Sequence, residues 1–310
     1  MQKKYFGTDG IRGRVNEFPM TAEYALKIGM AAGQYFKNDT KKVHRVVIGK
    51  DTRLSGYMFE NALTAGLTSM GMNVLLLGPV PTPAVGVLTP SMRADLGIMI
   101  SASHNSHEDN GIKFFGPDGF KLSDDAEQKI EDLIGKELSN VDLIDIGRAK
   151  RIEDGLFRYV ERVKSSFPSG MRLDGMKVVI DCANGAGYRA APEVLWELGA
   201  DVIPIGVNPN GTNINKNCGS TEPQSAAEAV VSHGADVGIC LDGDADRIIV
   251  SDEKGNIVDG DQIIAMLAFR WKRKKILKGG VIGTLMSNHG LQTYLLKNGI
   301  KFIRADVGDR

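Results

Sequence analysis

The feature that most constrains this chain is a succession of strand, polar loop, helix, glycine and second strand, which occurs three times at domain-sized intervals. The copies run from VVIG at 46–49 through KDTRLSG to NVLLLG, from VVID at 178–181 through CANGAGY to DVIPIG, and from GVIG at 280–283 through TLMSNHG to IKFIRA. A glycine follows each helix, where a left-handed cap would end it. Each copy predicts a βαβ unit with its functional loops at the carboxyl ends of the strands.

The spacing of these units predicts domains at 1–152, 153–255 and 256–310. A polar, acidic helix near Asp124 to Lys136 and the segment SNVDLIDIGRAK would close the first domain. The third copy ends directly after its second strand, so a domain of matching size needs more chain. We therefore expect the third domain to be incomplete and the sequence to be the front part of a longer one.

The composition is that of a soluble globular protein, with 42% hydrophobic and 25% charged residues in 310. Lys plus Arg and Asp plus Glu both equal 38, so no overall basic field favours nucleic acid or an anionic membrane. The N-terminus MQKKYFGTDG lacks the apolar core of a signal peptide, and the cysteines Cys182, Cys218 and Cys240 lack metal-site spacing. We expect a cytoplasmic protein with reduced thiols, no nucleic-acid or membrane partner and a small-molecule ligand.

The loop DGDADR carries Asp242, Asp244 and Asp246 between two apolar strands. In an extended segment, alternate residues face the same way, so these carboxylates would converge on one point. Clustered like charges are costly without a cation, and a set of oxygen ligands favours Mg²⁺ or Ca²⁺ over zinc. The stretch predicts a divalent-cation site.

Other interpretations of the glycine- and aspartate-rich loops are weaker. An EF-hand would use the three aspartates and Glu253, but Arg247 occupies the position that needs glycine, and the flanks predict strands. A solvated acidic hairpin turn is the simplest alternative. The segment 185–190 matches G-x-G-x-x-A, yet the acidic residue that should end the next strand is missing, so a tight βα turn is favoured over a dinucleotide site.

The stretch ISASHNSHEDNGIKFF, at 100–115, places polar side chains where an apolar strand ends. Ser101 and Ser103 lack the G-x-S-x-G surroundings of a hydrolase nucleophile, and His104 and His107 lack the second cluster that zinc requires. A phosphate on serine adds about −1.5 to −2 charge and would complement a divalent cation held by the aspartates. The residues predict a phosphate-bearing loop and leave both serines open as the carrier.

SASHN followed by DNGIK, the loop DGDADR and the N-terminal FGTDGIRG together resemble the α-D-phosphohexomutase superfamily. Within it, YFGTDGIRG, GKDTRLSGYM, GPVPTPAV, ISASHN, GTLMSN and ADVGDR are most similar to the bacterial phosphoglucosamine mutases. The resemblance covers the whole chain and implies an α/β fold: tandem phosphohexomutase-type βαβ domains with mixed sheets sandwiched by helices. Ser106 stands where the family often has proline, and Ala245 where it often has glycine.

The resemblance implies that Ser103 is the phosphoserine, with Ser101 as a neighbour, and that one Mg²⁺ per chain lies between its phosphate and Asp242, Asp244 and Asp246. The implied reaction interconverts glucosamine 6-phosphate and glucosamine 1-phosphate, in the route to UDP-N-acetylglucosamine. It passes through a bisphosphorylated sugar, and glucosamine 1,6-bisphosphate or a similar compound would be the activator. The implied partners are a phosphosugar substrate and a second copy in a homodimer.

Four further residues in these motifs are candidates for supporting roles in the reaction. Arg12 and Arg247 are candidates for steadying phosphate charge, although either could form an ordinary structural ion pair. His104 and Lys113 are candidate proton carriers beside the transferring group. For Arg53, in KDTRLSG, helix entry and domain packing are favoured over direct chemistry. The alternative functions are a non-catalytic metal- or phosphosugar-binding fragment, and a phosphoglucomutase or phosphomannomutase of the same superfamily.

Overall fold

The computed structural model describes residues 4–37, 43–138 and 141–308. Predictions that fall on the first residues of MQKKYFGTDG, on Ser139 and Asn140, and on the last two residues of ADVGDR lie outside the described residues. Among the described residues, each of the three predicted βαβ units is present and has parallel strands. None of the described helices is long and apolar enough to cross a membrane.

The first unit is the centre of a mixed sheet with helices on both faces. The strands of this sheet are β1 (Ile11–Arg14), β2 (His44–Lys50), β3 (Met72–Pro79), β4 (Leu96–Ile100), β5 (Asp109–Phe115) and β6 (Ala149–Arg151), in the order β1-β5-β4-β2-β3-β6. Its helices are α1 (Ala22–Phe36), α2 (Gly56–Ser69), α3 (Thr82–Ser91) and α4 (Asp124–Ile134). Strands β4, β2, β3 and β6 run parallel, whereas β5 pairs antiparallel with both β4 and β1.

The core of the first sheet follows from the hydrophobic periodicity of its helices. Phe59, Leu63 and Leu67 repeat every four residues along α2, and all three are fully buried. They pack with Ile28 of α1 and with Ile48 of β2 in one cluster. This spacing places one apolar stripe of the helix on the sheet, as an amphipathic helix requires.

The second sheet has the order β11-β10-β9-β7-β8. Its strands are β7 (Lys177–Asp181), β8 (Asp201–Ile205), β9 (Val237–Leu241), β10 (Ile248–Ser251) and β11 (Ile257–Val258), and its helices are α5 (Gly155–Ser166), α6 (Ala190–Glu197) and α7 (Gln224–His233). Because β11 pairs with β10, the second sheet extends slightly past the predicted boundary at 255. The domain boundaries themselves stay predictions.

The third unit is a pair of parallel strands with two helices. Strands β12 (Val281–Thr284) and β13 (Phe302–Ala305) flank α9 (His289–Lys297), and α8 (Gly260–Arg273) precedes them. Leu291 and Leu295 of α9 pack with Ala268 of α8 in a small buried cluster.

The predicted glycine caps are confirmed in all three units. Gly71, Gly199 and Gly299 have φ of 86°, 101° and 62°, the left-handed conformation that glycine adopts without a steric penalty. Each helix therefore ends where the sequence predicted and returns the chain into the next parallel strand. As a result, the loops after β2 and β4 lie at one edge of the first sheet, and those after β7 and β9 at one edge of the second.

Helices α1 and α2 approach so closely that Gly66 cannot accept a side chain. A Cβ there would lie 2.2 Å from the Leu26 carbonyl oxygen. We expect Gly66→Ala to lower the free energy of unfolding by up to about 2 kcal/mol, because so short a contact puts the overpacking cost in the upper part of its range of about 1–3 kcal/mol, above the roughly 1 kcal/mol gain in helix propensity. Urea unfolding measures the change.

Gly135→Ala is the matched control, because a Cβ at Gly135 would have no neighbour within 4 Å. Equal stability of the two variants would contradict the close packing of α1 on α2.

Candidate functional site

The two serines after β4 have different environments. Ser103 is 1% exposed, has a left-handed φ of 53°, and donates from Oγ to Asp242 Oδ2 at 2.5 Å. Ser101 Oγ instead donates to Asp51 Oδ2 at 2.7 Å and accepts the Ser103 N–H at 2.9 Å. The Ser103 hydroxyl therefore meets the acidic loop, while the Ser101 hydroxyl is engaged in holding its own loop.

A buried arginine fixes the shape of this serine loop. Arg53 is 1% exposed, and its Nε donates to Asp51 Oδ2 at 2.8 Å. Its two terminal amino groups donate to backbone carbonyl oxygens of the loop. These are the carbonyls of Ser103, Asn105, Ser106 and Asp109. Arg53 lies at the entry to α2, where the sequence placed it, and its guanidinium donors are all used on Asp51 and the loop.

The acidic loop is a turn between β9 and β10. One carboxylate oxygen from each of Asp242, Asp244 and Asp246 lies within 4.8 Å of the others, and the antiparallel flanking strands agree with the prediction. The expected extended conformation is wrong, because residues 243–245 turn and Ala245 has φ of 58°. The carboxylates converge because the turn folds back on itself, with Asp242 Oδ1 accepting the N–H groups of Asp246 and Arg247 at 3.2 and 3.1 Å.

The carboxylates of this turn suit a divalent cation. Asp244 Oδ1 is buried without a hydrogen-bond partner in the described part of the chain, although Oδ2 accepts from Lys113 Nζ at 2.7 Å and from Thr82 Oγ1 at 2.5 Å. Burial, together with the charges of Asp244 and Asp246, raises the pKa of Asp242 to about 7. A cation would relieve both the unpartnered oxygen and the crowded negative charge, so these residues could hold a metal ion.

Lys113 is a buried cation among three carboxylates. Its Nζ lies 2.7 Å from Asp244, 3.1 Å from Asp9 and 3.6 Å from Asp246. Burial alone would lower the pKa of Lys113, but these carboxylates outweigh burial and raise the pKa. The side chain therefore stays protonated and offsets part of the acidic charge.

The two predicted arginines lie at a cleft of about 560 Å³. Arg12, Asp246 and Arg247 line it, together with residues 284 and 307–308 of the third unit. Arg12 forms an ion pair with Asp9, which is the structural alternative that the sequence left open for this residue. Burial lowers the pKa of His104, and Arg247 and Arg12 act in the same direction, so the imidazole is neutral near pH 7.

Two residues that join the loops were missed by the sequence analysis. Asn215 Nδ2 donates to the carbonyl oxygens of Ser103 and Asn105 at 2.9 and 3.1 Å. Thr82 contacts Asp244 from a position 162 residues earlier in the chain. No local pattern marks either residue. GPVPTPAV was recognised as a motif, but its chemistry appears only when the two sheets meet.

Asp9 lies among three cations, which should make protein stability depend on its ionisation. Burial opposes its charge, but Lys113, Lys121 and Arg12 together lower its pKa from the ordinary 3.8. A lowered pKa stabilises the folded state above the unfolded-state value and loses that contribution as the pH falls through the folded-state value. We expect Asp9→Asn to cost about 1–3 kcal/mol at neutral pH and progressively less below about pH 4, as measured by urea unfolding.

Asp125→Asn is the control, because Asp125 forms an exposed pair with Lys129 at 2.7 Å. Such pairs contribute at most about 1 kcal/mol. A stability loss in Asp9→Asn that is the same at neutral and acidic pH would contradict the electrostatic account.

Comparisons with known proteins agree with this geometry. Family models described as phosphoglucomutase/phosphomannomutase alpha/beta/alpha domains I, II and III match residues 3–141, 157–255 and 259–310. The phosphoglucosamine mutase of Roseobacter denitrificans is 69% identical over 308 residues, which cover 99% of this chain and 69% of that protein. The relatives therefore extend well beyond the matched region.

Solved structures show the same fold. A putative phosphomannomutase from Thermus thermophilus has a TM-score of 0.82 at 25% identity, covering 98% of this chain and 69% of that one. Aspergillus fumigatus N-acetylphosphoglucosamine mutase, in complex with GlcNAc-6P and magnesium, has a TM-score of 0.61 at 18% identity, covering 99% of this chain and 63% of that one. The second likeness concerns the fold alone.

Proposed function

The chain belongs to the phosphoglucomutase/phosphomannomutase family, and from that premise we propose that it acts as a phosphoglucosamine mutase. The reaction would interconvert glucosamine 6-phosphate and glucosamine 1-phosphate through a phosphoserine enzyme. The observation that carries the proposal is the 2.5 Å hydrogen bond from Ser103 Oγ to Asp242, within a turn whose carboxylates could hold a cation. Phosphoryl transfer depends on this kind of positioning and charge neutralisation.

We propose that Asp242, Asp244 and Asp246, with the phosphate of Ser103, hold one Mg²⁺ per chain. The ion, when bound, would neutralise charge on the transferring phosphoryl group. Carboxylate ligands suit this ion, and the unpartnered Asp244 Oδ1 supplies an oxygen without breaking an existing bond. Lys113 would stay beside them as a fixed positive charge.

The serine would alternate between phosphorylated and free forms. A sugar hydroxyl would take the phosphoryl group from Ser103, so that the bond from Oγ to phosphorus breaks as a bond from the sugar oxygen forms. The product is a bisphosphorylated sugar, which turns over in the cleft and returns its other phosphoryl group to Ser103. Glucosamine 1,6-bisphosphate, or a similar sugar bisphosphate, would therefore also activate an unphosphorylated enzyme.

Of the two candidate proton carriers, we propose that only His104 moves a proton in these steps. The neutral imidazole of His104, next to Ser103, suits acceptance of the hydroxyl proton. Lys113, whose pKa is raised by its carboxylate neighbours, would keep its proton, so a fixed charge suits it better than the proton-carrier role its motif suggested. Arg12 and Arg247 line the cleft and would contact phosphate oxygens of the sugar.

The setting of the reaction is also a proposal. We propose a cytoplasmic enzyme of amino-sugar synthesis, in the route to UDP-N-acetylglucosamine, which works as a homodimer. Phosphoglucomutase or phosphomannomutase activity is the second candidate, because the matched family models carry those names. Rates with glucosamine, glucose and mannose 6-phosphates under the same conditions would separate these substrates.

Replacing the two serines separately tests the assignment of the phosphate carrier. We expect Ser103→Ala to abolish phosphorylation by glucosamine 1,6-bisphosphate and to lower turnover on the order of 10⁴-fold or more, because the accepting oxygen is gone. Ser101→Ala should still be phosphorylated, with a slower rate because its loop loses the bonds to Asp51 and Ser103. Intact mass spectrometry and a coupled assay provide the measurements.

Unchanged phosphorylation of Ser103→Ala would reject the assignment. Phosphorylation of the 310-residue chain without any turnover would favour the alternative of a non-catalytic fragment that binds metal and phosphosugar. Turnover by the same chain would reject that alternative.

A further inference from the structure

Thr82, in helix α3 beside the first sheet, contacts the acidic turn of the second sheet. It is the first residue of α3, is 5% exposed, and makes two hydrogen bonds to one residue. Its backbone N–H donates to the Asp244 carbonyl oxygen at 2.9 Å, and its hydroxyl donates to Asp244 Oδ2 at 2.5 Å. Backbone and side chain of Asp244 are thus held by the same threonine.

The hydroxyl bond determines which oxygen of Asp244 is available. Oδ2 accepts from Thr82 and from Lys113, whereas Oδ1 is buried and has no partner in the described part of the chain. A buried carboxylate oxygen without a partner carries a free-energy cost that a cation would remove. The carboxylate is therefore oriented with one oxygen anchored and the other left for a ligand.

Lys113 alone does not define this orientation. Its ammonium is shared with Asp9 at 3.1 Å and Asp246 at 3.6 Å, and an ammonium group has no fixed plane of donors. The Thr82 hydroxyl is attached to the first turn of a helix, and its position is further fixed by the backbone bond to the same residue. It is the more rigid of the two donors.

We propose that Thr82 is a positioning residue for the metal site, which sets the Asp244 carboxylate so that Oδ1 faces a divalent cation. This inference rests on the proposed function, because it concerns the same cation. Hydrogen-bond partners of metal ligands typically contribute about 10- to 100-fold to metal affinity, and Thr82 belongs to this class.

Thr82→Val isolates the hydroxyl. Valine has nearly the same shape, and its backbone N–H can still donate to the Asp244 carbonyl oxygen, so the turn stays attached to α3. Thr82→Ser restores a hydroxyl at the same position. Thr89→Val is the matched control: Thr89 lies in the same helix, is fully buried, and donates to the Val85 carbonyl oxygen at 2.7 Å.

The experiment titrates the unphosphorylated 310-residue chain with Mn²⁺ by electron paramagnetic resonance, and with Mg²⁺ in competition. Thermal unfolding of each variant without metal is recorded alongside. We expect Thr82→Val to weaken the affinity for both ions by about 10-fold or more. Thr82→Ser should remain within about threefold of the parent chain, and Thr89→Val should bind like the parent chain even where its melting temperature falls.

Parent-like affinity in Thr82→Val would overturn the inference and leave the proposed metal site standing. No binding by the parent chain, in the same titration of both its unphosphorylated and its Ser103-phosphorylated form, would instead overturn the metal site, and this inference with it. Should Thr82→Val fail to fold, Thr82→Ala removes the hydroxyl without adding a methyl group, and the same affinity criterion applies. Equal losses in Thr82→Val and Thr82→Ser would also overturn the role of the hydroxyl.

Discussion

The site depends on the buried guanidinium group of Arg53. Its five N–H groups bond to the Asp51 carboxylate and to backbone carbonyls of the serine loop. Removing one partner of a buried ion pair costs about 3–5 kcal/mol, since the other charge is left uncompensated. The left-handed conformation of Ser103, which is unfavourable for a residue with a Cβ, is sustained by these bonds.

The meeting of two sheets completes the site. Ser103 and Lys113 come from the first sheet and the acidic turn from the second, so neither carries the constellation alone. The serine loop and the acidic turn approach each other closely, since a Cβ at Gly243 would lie 2.6 Å from the Ser103 carbonyl oxygen. Asn215 adds a bond from the second unit to that same carbonyl. These contacts fix the position of the Ser103 hydroxyl relative to the carboxylates of the acidic turn.

Local chemistry explains what could be predicted from the sequence. The βαβ units and their glycine caps follow from periodicity and from φ preferences, which act over a few residues. The acidic turn was also identified, although by a wrong argument: an extended strand was expected, and Ala245 in the left-handed region shows a turn. Three aspartates in one short loop mark a cation site in either conformation, but the turn is what brings their carboxylates together.

Long-range contacts explain the rest. The sequence left Ser101 and Ser103 open, because the difference between them lies in whether the hydroxyl meets Asp51 or Asp242, which is 139 positions from Ser103. Thr82 and Asn215 are ordinary polar residues until the sheets pack. The resemblance favoured Ser103 by its motif, and the hydrogen bonds supply a physical reason for that choice.

The central claim is that the Ser103 oxygen and the three aspartates form one cation site across two sheets. Anomalous diffraction from crystals of the phosphorylated chain grown with Mn²⁺ tests it most directly. The account predicts a single strong peak in contact with carboxylate oxygens of Asp242, Asp244 and Asp246 and with the phosphate on Ser103. A peak away from this turn, or a phosphate on Ser101, would contradict it.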